Sequence, residues 1–243
     1  MSEIFDDLVD ELDALESVLS GLSPQQWEST SSAEGWTVAD VVLHLAQTEE
    51  AVATTIESES QAPQWRQGGE VDEMVEVWVS AERASGAEVF ERWRVARRAA
   101  VDAMRRADPE KKFVWARAPL KPATLATTRI AEHWAHALDI VDPLGIAYAD
   151  TDRLRHIAWL GHSTLPYAFE LNGQEPRPVY VELTGPSGDT WRFGPPDCES
   201  QITGAAGAFC RVGAHRLAPD ASGLKTAGPH AMAALKVLRN YAG

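Results

Sequence analysis

Within Thr128-Arg129-Ile130-Ala131-Glu132-His133-Trp134-Ala135-His136-Ala137-Leu138-Asp139, a carboxylate and an imidazole stand four residues apart. Residues four apart on an α-helix lie one turn above each other, so Glu132 and His136 share a face, and Arg129 and Asp139 continue that row. Ionisable groups in an otherwise apolar helix are costly to bury unless they are paired or bound to a metal. Two explanations of the row are open: a divalent metal, or a salt-bridged network. His44, from a second apolar stretch, would complete a two-His-one-carboxylate set. Three protein ligands leave room for water or substrate, which is how catalytic metal sites differ from closed structural ones. On the other explanation His44 is a hydrogen-bonded core histidine and Glu132 with His136 a pair on the helix surface. Asp139 is placed either to accept the second ring N–H of His136, as ligating histidines require, or to form a surface salt bridge. His133, turned about 100° from Glu132, is expected to face solvent or a domain interface rather than a metal.

The elements that must position these residues read as helices. Ile4, Leu8, Leu12, Leu15 and Leu19 recur near the helical period, which predicts a helix over residues 4–21. Ser23-Pro24 opens a short helix carrying Trp27. Thr37, with Asp40 three residues on, forms a variant capping box, so a second long helix is expected from there to about Ser58, with His44 facing inward. Residues 60–69, with Pro63 and two glycines, read as a loop. Residues 71–107 read as one long helix bent near Ser85-Gly86 and stopped by Asp108-Pro109. A connector over 110–123 leads to a helix of about 124–143, which carries Glu132 and His136. Trp36, Trp78, Trp93 and Trp134 read as core. Together these predict a four-helix bundle over residues 1–148.

Past Asp142-Pro143-Leu144-Gly145 the pattern changes to that of a small α+β domain, residues 149–243. A helix is expected over 152–171. Val179 to Thr184 alternates at period two, and Thr190-Trp191-Arg192-Phe193 returns after the Gly185–Asp189 turn, so the two read as a hairpin. A helix of 199–215, a short strand at 223–226 and a helix of 228–241 complete the chain.

The 243 residues are 44% hydrophobic and 24% charged, enough for a real core. A net charge of -14 repels phosphate backbones, so no nucleic-acid partner is expected. No apolar run is long enough to span a membrane and the N-terminus carries no targeting pattern, so a cytoplasmic protein is expected. Cys198 and Cys210, lacking close spacing, read as ordinary thiols rather than a disulfide or zinc site.

The run Gly35-Trp36-Thr37-Val38-Ala39-Asp40-Val41-Val42-Leu43-His44-Leu45-Ala46, taken with Arg129 to Glu132, His136 and Asp139, resembles the mycothiol-dependent maleylpyruvate isomerase family, a branch of the DinB-like metal-binding four-helix bundles. Trp191-Arg192-Phe193-Gly194, the stretch from Ala205 to Arg216 and the ending Asn240-Tyr241-Ala242-Gly243 extend the resemblance through the α+β half. The resemblance implies a divalent metal, zinc by preference, held by His44, Glu132 and His136, with mycothiol as thiol cofactor. It further implies a thiolate that adds to an activated alkene, allows rotation and is expelled, or one that displaces a leaving group. Arg216 stands where the family carries arginine and is the expected clamp for a substrate carboxylate, with Arg211 five residues earlier as the other candidate. The connector Trp115 to Pro122 departs from the family in Arg117 and Lys121, which points to a different substrate preference.

The function expected is therefore that of a metal-dependent, mycothiol-using isomerase or S-transferase acting on a small, anionic electrophile, as a monomer or homodimer. Two alternatives stand beside it: a thiol-independent metal-dependent lyase, hydrolase or cyclase of secondary metabolism, and a non-catalytic metal-binding protein.

Overall fold

The computed structural model describes residues 3–60, 62, 71–116 and 118–240. All but Ser60 and Ala62 of the expected loop, as well as Arg117 and residues 241–243, lie outside them. The chain divides into two compact units between Tyr148 and Ala149. Among the described residues no helix is long and apolar enough to cross a membrane.

The first unit contains α1 (Glu3–Leu19), α2 (Pro24–Trp27), α3 (Val38–Glu57), α4 (Val71–Ala81), α5 (Gly86–Arg106), the hairpin strands β1 (Phe113–Trp115) and β2 (Ala118–Leu120), and α6 (Pro122–Leu144). The four long helices α1, α3, α5 and α6 pack as a bundle. Leu8, Leu12 and Leu15 of α1 are fully buried, as are Val41, Leu45 and Val52 of α3 and Trp93 of α5. Each such side chain contributes about 1.5–3 kcal/mol of burial. The start of α3 is fixed as its sequence dictates: Thr37 Oγ1 accepts from Asp40 N at 3.2 Å and Asp40 Oδ2 from Thr37 N at 3.0 Å. Pro122 opens α6 and Gly145, at φ +64°, closes it in the left-handed conformation that glycine adopts freely.

One expectation for this unit is corrected. Residues 71–107 form two helices rather than one bent helix, because Ser85 caps a new helix: its side chain accepts from Glu88 N and Glu88 returns the bond to Ser85 N. The first residue of that helix must be small, since a Cβ on Gly86 would stand 2.3 Å from Trp27 Cγ. Within the connector 110–123, Phe113 to Trp115 pairs antiparallel with Ala118 to Leu120.

The second unit holds α7 (Leu154–Ser163), α8 (Leu165–Leu171), β3 (Tyr180–Thr184), β4 (Thr190–Phe193), β5 (Gln201–Ala205), α9 (Ala206–Gly213), a 3-10 turn (Pro219–Ala221), β6 (Lys225–Ala227) and α10 (Ala231–Val237). Its sheet runs β4-β3-β5-β6, with β3 antiparallel to β4 as expected and parallel to β5. The helix expected over 199–215 is corrected: residues 201–205 are the central strand β5, and only 206–213 are helical. Pairing on both sides, with β3 and β6, decides a stretch whose own preference is weak. The helix expected over 152–171 breaks at Thr164, because Pro166 cannot continue the backbone ladder and Thr164 Oγ1 bonds the carbonyls of Leu160 and Arg239. The last helix is confined to 231–237. With these changes the architecture is the expected one, a helical bundle followed by a small α+β half.

Candidate metal centre

The inward face of α3 and the middle of α6 bring His44, Glu132 and His136 together, with one ligand atom of each lying within 4.8 Å of the others. His44 Nε2 lies 2.9 Å from Glu132 Oε1, and His136 Nε2 lies 3.7 Å from the same oxygen. The two imidazoles meet edge to face, with centroids 4.9 Å apart. His44 side-chain exposure is 7%, His136 16% and Glu132 26%, so the cluster sits at the border of the core with Glu132 outermost.

Asp139 takes the place that a ligating histidine asks for: its Oδ2 lies 2.9 Å from His136 Nδ1. Asp139 is buried, and its main-chain carbonyl accepts from Ser32 N at 2.8 Å. His44 Nδ1 is buried with no hydrogen-bond partner. Trp36 walls this ring, its own ring 5.3 Å away and its Nε1 donating to Glu76 Oε2 at 2.6 Å.

The electrostatics follow from burial and neighbours. Burial, the largest influence, lowers the His44 pKa. For Glu132, burial opposes ionisation, but the hydrogen bonds with His136 and His44 and the Arg129 charge hold it well below the usual carboxylate range. His136 goes the other way: burial pulls it down, yet Asp139 and Glu132 push it up to about 9. Without a cation, its neighbours Asp139 and Glu132 thus favour the protonated form of His136.

The arrangement suits a divalent cation. A cation about 2.1 Å from each of three donors sets those donors about 3.4 Å apart, and separations of 2.9 and 3.7 Å bracket that value. The donor set is imidazole and carboxylate, and one histidine is already oriented by a carboxylate behind it. Among the described residues the group has three members, which leaves a further position for an exogenous ligand.

Three neighbours behave differently from expectation or were not anticipated. His133 does not face solvent. It is fully buried, with Nδ1 2.9 Å from Arg129 O and Nε2 accepting from Trp93 Nε1 at 3.1 Å. Burial and the Arg129 charge lower its pKa well below that of a free imidazole, so it is a neutral core histidine. Arg129 is buried too, its Nε donating to Glu49 Oε1 at 2.6 Å and its Nη2 to Thr48 Oγ1 at 2.8 Å, with the guanidinium 5.6 Å from the Trp115 ring centroid. Glu49, an acid on the inward stripe of α3 between Leu45 and Val52, carried the signal that such a partner exists.

Trp93 and Trp134 are core, whereas Trp36 and Trp78 are half-buried. Lys121 pairs at the surface with Glu110 at 2.6 Å. Arg216 and Arg211 belong to the second unit. Arg216 follows α9, with Nη1 donating to Ala214 O at 2.7 Å, and Arg211 grips both oxygens of Asp150 at 2.8 Å. Cys210 is buried and Cys198 half-buried, as ordinary thiols.

Comparison with known proteins bears on this geometry. The sequence model of the mycothiol maleylpyruvate isomerase N-terminal domain matches residues 8–141, which include all three cluster residues and Asp139. Uncharacterized proteins from two strains of Mycobacterium tuberculosis are 34% identical over 98% of this chain and 94% of their own length. The crystal structure of the mycothiol-dependent maleylpyruvate isomerase superposes with a TM-score of 0.64 at 16% identity, over 92% of this chain and 91% of that one. The structure of a histidine-to-alanine mutant of that isomerase gives 0.61 at 15%, with the same coverage.

Proposed function

The chain belongs to the mycothiol maleylpyruvate isomerase family, and from that membership we propose a metal-dependent enzyme, an isomerase or S-transferase that uses mycothiol on a small, anionic electrophile. The observation that carries this reading is the convergence of His44, Glu132 and His136 with Asp139 behind His136. A divalent cation, zinc by preference, would be held by these three side chains and would supply Lewis acidity that lowers the pKa of a thiol or water beside it. Mycothiol would supply the nucleophilic sulfur.

The chain's own residues do the remaining work. Glu132 offers a charged oxygen shared between both histidines. Asp139 fixes the His136 tautomer so that Nε2 is the free donor atom. Trp36 covers the His44 side with an apolar face held in place by Glu76, which limits water on that side. Glu132, the half-buried member of the set, is the side from which a substrate would approach.

Calorimetric titration of zinc-loaded protein with mycothiol, together with an assay of double-bond isomerisation in maleylpyruvate and related unsaturated acids, tests the proposal. Saturable thiol binding that is lost in the His136→Ala variant is the expected result. No binding at millimolar mycothiol would overturn the thiol-dependent mechanism.

A further inference from the structure

Behind the cluster a buried ion pair, Arg129 with Glu49, lies about one helical turn from the ligands, on the same two helices. From His44 to Thr48 is one turn along α3, and from Glu132 back to Arg129 is one turn along α6, so the helices run antiparallel and Arg129 meets Thr48 just behind the ligands. We propose that Arg129 is a positioning residue of the candidate centre: clasped by Glu49 and Thr48, it locks α3 to α6 and so fixes the separation of His44 and Glu132. This rests on the reading of the cluster as a metal site.

The bonds around Arg129 reach the ligands through few atoms. Thr48 Oγ1, which accepts from Arg129 Nη2, itself donates to the carbonyl of His44 at 3.1 Å and that of Leu45 at 3.0 Å. The Arg129 carbonyl accepts from His133 Nδ1, itself 3.6 Å from Glu49 Oε1, and His133 Nε2 accepts from Trp93 of α5. The guanidinium lies over Trp115, which brings β1 onto the same point. Arg129 is thus the junction of three helices and the hairpin. Its planar fork can hold two α3 residues at once, which a lysine ammonium does less rigidly.

Stability is a poor explanation for this pair. Burying two charges costs about as much as their attraction returns, and apolar replacements of similar volume are often neutral or better. Here the pair is also incompletely satisfied, since Glu49 Oε2 is buried with no hydrogen-bond partner. Its contribution is to register rather than to stability.

The test compares zinc affinity, by chelator competition, and the visible spectrum of the cobalt(II)-substituted protein. The double variant Glu49→Met with Arg129→Met keeps the local net charge, and a melting temperature near wild type is expected. Its zinc affinity should fall by about 10- to 100-fold, the scale on which partners behind a ligand act, and its cobalt spectrum should change. Arg129→Lys, which keeps the charge and loses the fork, should weaken zinc in the same direction. Thr48→Val, which removes only the hydroxyl between Arg129 and the His44 carbonyl, should give a smaller loss, and it decides the matter if the double variant does not fold. Wild-type affinity and spectrum in a folded double variant, or in Thr48→Val where that variant decides, would overturn the proposal, as would a rise in affinity. Wild-type protein that binds no zinc would overturn the metal reading itself, and this inference with it.

Discussion

Asp139 holds His136 by its Nδ1 at 2.9 Å, which leaves Nε2 as the nitrogen turned toward Glu132. A carboxylate behind a ligating imidazole fixes both its tautomer and its angle. Asp139→Asn keeps the volume and removes the charge. We expect zinc affinity to fall by about 10- to 100-fold in chelator competition, with the secondary structure by circular dichroism unchanged. Unchanged affinity would make Asp139 a structural residue only.

The same contact governs the response of the metal-free protein to pH. His136 titrates at about 9 in the fold, against about 6.5 for an unperturbed imidazole. The fold favours the protonated form, so this contribution to stability is complete below about pH 6.5 and is lost as the pH rises through about 9. Melting temperatures of chelator-treated protein should therefore decline across that window. Zinc-loaded protein, in which His136 is a neutral ligand, should show a weaker decline there. Zinc binding also releases this proton, so affinity should increase with pH up to about 9. Parallel curves with and without zinc would contradict the assignment.

Thr37 anchors the start of the helix that carries His44. Its side chain satisfies the Asp40 backbone N–H, and Thr37→Ala should lower stability by about 1 kcal/mol in urea unfolding. The ligand atoms lie two turns further on, so zinc stoichiometry should be unaffected.

The junction of α2 and α5 offers a test of the fold itself. A Cβ at Gly86 would stand 2.3 Å from Trp27 Cγ, and overpacking of this kind costs about 1–3 kcal/mol. Gly86→Ala should therefore destabilise the protein in chemical unfolding despite alanine's higher helix propensity. A stabilised variant would mean that Trp27 moves aside freely.

The cluster was legible because its spacing is local. Glu132 and His136 stand one turn apart on one helix, and Thr37 with Asp40 announces the start of the helix that delivers His44. The break before α5 was missed although Ser85 and Glu88 form a capping box there, because the apolar period runs on almost unbroken and reads as one bent helix. Other features depend on partners distant in sequence. Residues 201–205 become a strand because β3 and β6 flank them, and His133 turns inward because Trp93, forty residues earlier, offers its N–H. Glu49 and Arg129 each signalled a buried charge, but which charges pair is settled only by the packing of α3 on α6. The mycothiol and the anionic substrate come from resemblance and membership, not from helical period.

Metal content of protein purified without chelator tests the central claim most directly. Elemental analysis by inductively coupled plasma mass spectrometry, run on wild type, His44→Ala and His136→Ala, should find one divalent ion per chain in the wild type and a substoichiometric amount in both variants. A wild-type protein without a stoichiometric divalent ion, even after incubation with zinc, would contradict the account, as would variants that retain the full amount.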